Sequence, residues 1–237
     1  MANGDAGDIY AAGLARERDE SILRSVFNEG NQFDDDEQKE HYANEKNRLL
    51  YEQLLLDPNY KDVYYDADSG GVKATHIGHN SIGSPEIFFE GLNGADLERE
   101  CQDELVRMGH SAIFRDESTK DRYGNPTCQL DLVLDGDIMD IASVTRDNVT
   151  FRNIINRKNN QLGRFNKNND EIRCHTLCMY FHEPSFYSSE KIIKGMKAII
   201  KGQHGKGFAR NHIVRIVCVI KGEKDIIVID NLKENRR

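Results

Sequence analysis

The dipeptide Asp135-Gly136 stands between two runs of alternating apolar and polar residues, Gln129–Leu134 and Asp137–Val144. Asp-Gly in that setting is among the strongest short-range signals for a β-hairpin, because the favoured two-residue turn needs a positive φ that these residues adopt at low cost. A two-residue turn then fixes the register. Leu134 faces Asp137, Val133 faces Ile138, Leu132 faces Met139, and Asp131 faces Asp140. One face of the hairpin carries Leu130, Leu132, Leu134, Met139 and Ile141 and reads as core. The other carries Gln129, Asp131, Val133, Ile138, Asp140 and Ala142. Carboxylates directly opposite on paired strands sit about 5 Å apart at Cβ and repel. In open water, screening would let the two tolerate each other. With Val133 and Ile138 on the same face, partial burial is expected, and such pairs then share a proton or a cation. Hard divalent ions take this ligand type.

A third acid is available upstream. The spacing of Leu97, Cys101, Leu105 and Met108 predicts a helix over 95–108 that also carries Glu98, Glu100 and Glu104. Glu98 and Glu100 lie about 160° apart on such a helix, so only one of them can point at the hairpin. A helix carboxylate with Asp131 and Asp140 would hold one magnesium or manganese ion, making bound water a usable nucleophile near neutral pH. A second helix is predicted over 148–165, with Phe151, Ile154, Ile155 and Leu162 inward. Arg152, Arg157, Lys158, Gln161 and Arg164 surround that stripe, with Asn153, Asn156, Asn159 and Asn160 among them. Arginine and asparagine at this density fit contact with a phosphate backbone.

The rest of the 237 residues divides into three stretches. Residues 1–60 read as an acidic helical arm: a weak pattern over 1–30, an acidic break at Asp34–Glu37, and a better helix from Glu37 to Leu56. Residues 61–94 read as an irregular linker. Residues 95–237 read as an α/β domain in the order α-β-β-β-α-β-α-β-β, a mixed central sheet with helices on its faces. Net charge is −8 over 1–60, −10 over 61–144 and +10 over 145–237. The acidic middle suits a cation and the basic end suits phosphates. No window approaches the roughly 18 apolar residues a membrane helix needs, and the N-terminus has no signal-peptide pattern. Five cysteines without a CxxC pair exclude a disulfide scaffold or zinc ribbon and fit a reducing, cytoplasm-like site of action.

Helix–Glu, strand, strand–Asp, hairpin, strand with an acid, then helix resembles the layout of PD-(D/E)XK nucleases, with Asp131 and Asp140-Ile141-Ala142 after Glu98/Glu100. Residues from about 95 to 230 resemble the tRNA-cleaving C-terminal toxin domains of CdiA-type contact-dependent inhibition proteins. The stretch Ser69–Asn80, then Leu97–Gln102, Gly109-His110 and Asp135-Gly136 with Asp140–Ser143, is also similar to a bacterial family found at the ends of phage head-morphogenesis proteins and on mobile elements. The resemblance implies a restriction-endonuclease-like fold and a toxin-type endoribonuclease that cleaves tRNA with a divalent metal. It also implies an immunity protein as partner, and delivery within a larger protein or phage particle.

The chain departs from that pattern at Ala142, where the family has a lysine that positions water or stabilises developing charge. Lys158 or Arg157 on the following helix would have to supply the cation. Otherwise, metal-free RNA cleavage would need a general base and a cation, with the 2′-hydroxyl as nucleophile. His110, His175 and His182 are the candidate bases. Two further readings stand beside this one: a catalytically degenerate nuclease-fold module of a phage or mobile-element protein, and a DNA endonuclease of the same fold. His76 and His79 read as structural, as do Cys101, Cys174 and Cys178. The Gly-rich basic loop 201–207 lacks P-loop spacing and reads as a surface connection.

Overall fold

The computed structural model describes residues 36–82, 87–119, 127, 129–148, 150–169, 172–202 and 211–230. Helix α1 (Asp36–Leu56) leads into β1 (Tyr60–Tyr65) and β2 (Val72–His76). A two-residue ribbon, β3 (Phe88–Phe89) and β4 (Leu92–Asn93), precedes α2 (Gly94–Arg107), β5 (Ser111–Phe114), β6 (Leu132–Leu134) and β7 (Asp137–Val144). Then follow α3 (Arg152–Asn168), β8 (Thr176–Phe181), a 3₁₀ turn at Pro184–Phe186, α4 (Ser189–Gly202), β9 (Arg215–Ile220) and β10 (Ile227–Asp230). From α2 onward this is the expected element order. The weak pattern over 1–30 and nearly all of the Gly-rich loop lie outside the described residues.

Eight strands form one mixed sheet in the order β1-β2-β5-β6-β7-β8-β9-β10. β2 runs parallel to β5, and β7, β8 and β9 run parallel to one another; the other pairs are antiparallel. Alternation along the strands sorts the core into two faces. Helix α2 covers one face, packing Leu97, Cys101 and Leu105 on Phe114, Leu132, Met139, Ile141 and Tyr180. Helices α1, α3 and α4 share the other. Leu50 and Leu54 of α1 meet Val72, Ala74, Ile113 and Val133. Ile155, Leu162, Phe165, Ile192 and Met196 meet Ala142, Leu177, Met179 and Ile216.

The stretch 61–94 is not irregular: it supplies two strands of the main sheet and the ribbon. The sequence signal was masked because β1 is an edge strand with a register irregularity between Lys61 and Tyr64, and Asp62 takes a positive φ of 53°. Helix α1 is bound to this sheet rather than trailing from it. Its buried Asn47 donates to the Gly70 carbonyl at 2.9 Å and the Gly109 carbonyl at 3.1 Å. Helix α2 begins in a capping box, Asn93 accepting from the Asp96 amide and Asp96 from the Asn93 amide. It ends at Gly109, whose φ of +87° suits the left-handed cap. Helix α3 starts at Arg152, later than expected, because Phe151 is held at φ 48° and cannot join the helical turn.

The candidate active site

The hairpin register is Leu132↔Met139, Val133↔Ile138 and Leu134↔Asp137, with Asp135 and Gly136 both at positive φ. The ladder stops at Leu132, one residue short of the Asp131–Asp140 pair. The chain also turns there: Leu130, expected beside Leu132, packs instead in the cluster under α3 and α4. The two aspartates nonetheless remain neighbours, and both are buried, Asp131 at 8 % exposure and Asp140 at 0 %. The Asp131 carbonyl accepts from the Arg115 amide at 2.9 Å, and its Oδ2 from the Ile141 amide at 2.8 Å. Asp131 is thereby held by both adjacent strands.

Lys158 reaches this pair from α3. Its Nζ stands 2.9 Å from Asp140 Oδ2, with 12 % of its side chain exposed. The contact is an ion pair, and the charges of Asp140 and Lys158 act on each other's titration. Gln161, three residues on, donates to Asp140 Oδ1 at 3.2 Å and to the Gln129 carbonyl at 3.4 Å. The three-residue spacing puts both side chains on the flank of α3 that borders its apolar stripe. Glu98, half-buried near the start of α2, comes from the other face of the sheet and feels the charges of Asp131 and Lys158.

Asp140, Asp131 and Glu98 all act on the Lys158 ammonium, and close carboxyls cannot all be ionised at low cost. Burial, then the Asp131 charge, lifts Asp140 well above the usual carboxylate range, although Lys158 opposes the rise. Burial and Asp131 push Glu98 up to about 8. Burial lowers Lys158, but Asp140 and Asp131 more than offset it, so the ammonium stays charged. The site thus holds a fixed cation beside two carboxyls, Asp140 and Glu98, that are raised above the usual carboxylate range.

The structure places the other expected residues apart. Glu100 points away from the hairpin, where Tyr180, His182 and Lys221 surround it. Arg152, Arg157 and Arg164 are exposed on α3, and among the described residues the site carboxylate Asp140 pairs with Lys158 instead. Asn159 is buried, its Oδ1 accepting from the amides of His212 at 2.7 Å and Ile213 at 3.2 Å. Asn166 pairs with both backbone groups of Cys174. Part of the asparagine density on α3 is therefore structural. Cys174 and Cys178 are buried, as expected. His79 lies flat on Phe114, centroids 4.3 Å apart, with Nδ1 2.7 Å from Glu117.

Sequence reading missed Arg115 and Glu117. Arg115 is buried and its guanidinium stands 5.7 Å over the Phe165 ring. Glu117 adds its charge to the field at Glu98. Their only sequence signal is position: they follow the short apolar strand β5 directly, where the chain leaves the sheet beside Asp131.

Magnesium and manganese prefer hard oxygen donors. Glu98, Asp131 and Asp140 are donors of that type, and the buried, hydrogen-bond-free Asp140 Oδ2 is the kind of atom a cation would satisfy. At present the Lys158 ammonium stands there. Among the described residues no three acid, histidine or cysteine side chains are grouped around one point. Among the same residues no helix is long and apolar enough to cross a membrane. No family model, curated protein or solved structure matches this chain.

Proposed function

We propose that this chain is an endonuclease of restriction-endonuclease-like fold that cleaves phosphodiester bonds, with RNA, and tRNA above all, as substrate. The observation that carries the reading is the Lys158–Asp140 contact at 2.9 Å beside Asp131. The motif lysine absent at Ala142 has a counterpart one helix later, brought to the same carboxylate. Ala142 lies on the same sheet face as Asp140, two residues along β7, so a cation rising from α3 serves a similar place.

Each side chain then has a task. Lys158 offsets negative charge as it grows on the phosphoryl oxygens, an effect enlarged in a buried setting. Glu98, protonated near neutral pH, is poised to give a proton to the departing oxygen; groups with pKa near the working pH transfer protons best. Gln161 fixes Asp140, and the Ile141 amide fixes Asp131. Asp131 and Asp140 are the residues that would hold a divalent ion, which would supply Lewis-acid activation of water. The exposed arginines of α3, Arg157 and Arg164 on one side and Arg152 nearby, would engage the backbone. As a toxin-type tRNase it would act in the cytoplasm and be matched by an immunity protein.

The test is purified protein with total tRNA and with plasmid DNA, beside Asp140→Asn and Lys158→Met. Discrete tRNA fragments with linear phosphate ends, lost in both variants, support the reading. Cleavage of plasmid alone would move it to a DNA endonuclease. Intact nucleic acid throughout, from folded protein, would leave the degenerate interaction module.

A further inference from the structure

Helix α2 separates two polar clusters. Glu98 faces the hairpin, while Glu100 faces the C-terminal ends of β8 and β9. Those strands are parallel with Phe181 opposite Ile220, so the next residues, His182 and Lys221, emerge side by side. Ligands in α/β sheets commonly bind beyond the C-terminal ends of parallel strands. Glu100 Oε2 accepts from His182 Nδ1 at 2.5 Å and from the Tyr180 hydroxyl at 3.1 Å. Its Oε1 lies 3.5 Å from Lys221 Nζ, which is itself 3.3 Å from His182 Nδ1.

This pattern assigns the imidazole. At 2.5 Å the Glu100 carboxylate is a closer partner of Nδ1 than the Lys221 ammonium at 3.3 Å, so we assign the proton to Nδ1, which leaves Nε2 as the proton acceptor. Among the described residues Nε2 makes no hydrogen bond; its nearest carboxylate is Glu90 Oε2 at 3.9 Å. Phe89 holds the ring edge-on, centroids 5.5 Å apart. Glu100 and Lys221 are open to solvent, with side-chain exposures of 30 % and 42 %, while His182 is mostly covered at 13 %. Arg107, paired with Glu104 at 2.6 Å, ties the β9–β10 turn to α2 through the Glu223 carbonyl.

We infer that Glu100, His182 and Lys221 form a second proton-transfer centre that cleaves RNA by transesterification without a divalent metal. His182 Nε2 takes the proton of a ribose 2′-hydroxyl. The 2′-oxygen forms a bond to the adjacent phosphorus as the bond to the 5′-oxygen breaks. Lys221 offsets charge on the phosphoryl oxygens, the 5′-oxygen takes a proton from water, and His182 returns its own to solvent. The products are a 2′,3′-cyclic phosphate and a 5′-hydroxyl, with no oxidant, reductant or added water consumed. Glu100 is the positioning residue, fixing the tautomer. The inference goes beyond the hairpin site: it rests on the proposed function for its RNA substrate but uses none of the hairpin residues.

The experiment uses the full chain with total tRNA in excess chelator, with end-group analysis of the fragments. His182→Gln and Lys221→Ala are purified in parallel. The expected result is chelator-resistant cleavage leaving cyclic phosphate ends, at least about 100-fold weaker in His182→Gln. Lys221→Ala, at a half-exposed position, is expected to weaken it as well and keeps the test open should His182→Gln fail to fold. An oligonucleotide blocked by 2′-O-methylation stays intact. Absence of chelator-resistant cleavage by folded wild type, cleavage of the blocked oligonucleotide, or undiminished cleavage by folded His182→Gln and Lys221→Ala would each overturn the inference. None of these outcomes touches divalent-dependent cleavage at the hairpin.

Discussion

Glu98→Gln should stabilise the protein in a pH-dependent way, and the structure sets the size of the effect. Burial and the Asp131 charge lift Glu98 from its ordinary 4.5 to about 8. Below pH 4.5 the carboxyl is protonated in both the folded and unfolded chain, and folding is not penalised. Between 4.5 and about 8 the unfolded chain releases a proton that the native site retains, so native stability falls as pH rises. Above about 8 the loss is complete. The full shift corresponds to at most about 5 kcal/mol. Glutamine has nearly the same shape and never ionises, so the variant escapes the loss. The assay is urea unfolding of both proteins at several pH values. Near pH 4 the two should agree within about 0.5 kcal/mol. Near pH 8.5 the variant should be more stable by about 3–5 kcal/mol. Parallel curves, with no gap opening as pH rises, would refute the assignment of Glu98 to a shared, charge-crowded site.

Four further outcomes follow from contacts already described. Lys158→Met should destabilise by about 3 kcal/mol at neutral pH by stranding a buried carboxylate, and Asp140→Asn in the same chain should recover much of it; urea unfolding reads the cycle. Leu54→Ala should cost about 2–4 kcal/mol in thermal or urea unfolding, because Leu54 is 4 % exposed in the cluster joining α1 to the sheet. Gly136→Ala should cost about 1–2 kcal/mol, since φ at 136 is +94°. His110 is lowered by burial, but the hydrogen bond and charge of Asp135 raise it above 6.5 on balance. Its contribution is therefore full below 6.5 and lost as pH rises through the raised value, and Asp135→Asn should abolish that slope in NMR or unfolding titrations.

The hairpin was legible because its signals are local. Asp-Gly fixes the turn, alternation fixes the faces, and the register from Leu134↔Asp137 to Leu132↔Met139 follows with no tertiary information, though the ladder ends one residue before Asp131. Helices α2, α3 and α4 were legible from apolar spacing, with ends shifted where a left-handed Phe151 or a capping box intervened. Strands β1 and β2 were not, because an edge strand beside a register slip shows little alternation. Lys158 was one of two candidates along α3; only packing, which leaves Arg157 in solvent and seats Lys158 on Asp140, separates them. The Glu100–His182–Lys221 cluster joins residues 82 and 39 positions apart through strand register, and no local spacing announces it. Leu130 failed the alternation rule because the chain leaves the strand at Asp131.

The most direct test of the central claim is tRNA cleavage with magnesium or manganese by wild type, Asp131→Ala, Asp140→Ala and Lys158→Met, with fragment ends identified. The account predicts divalent-dependent fragments with linear phosphate ends, absent in both aspartate variants and at least about 100-fold reduced in Lys158→Met. Such fragments undiminished in the variants, or intact tRNA from folded wild type in every condition, would contradict it.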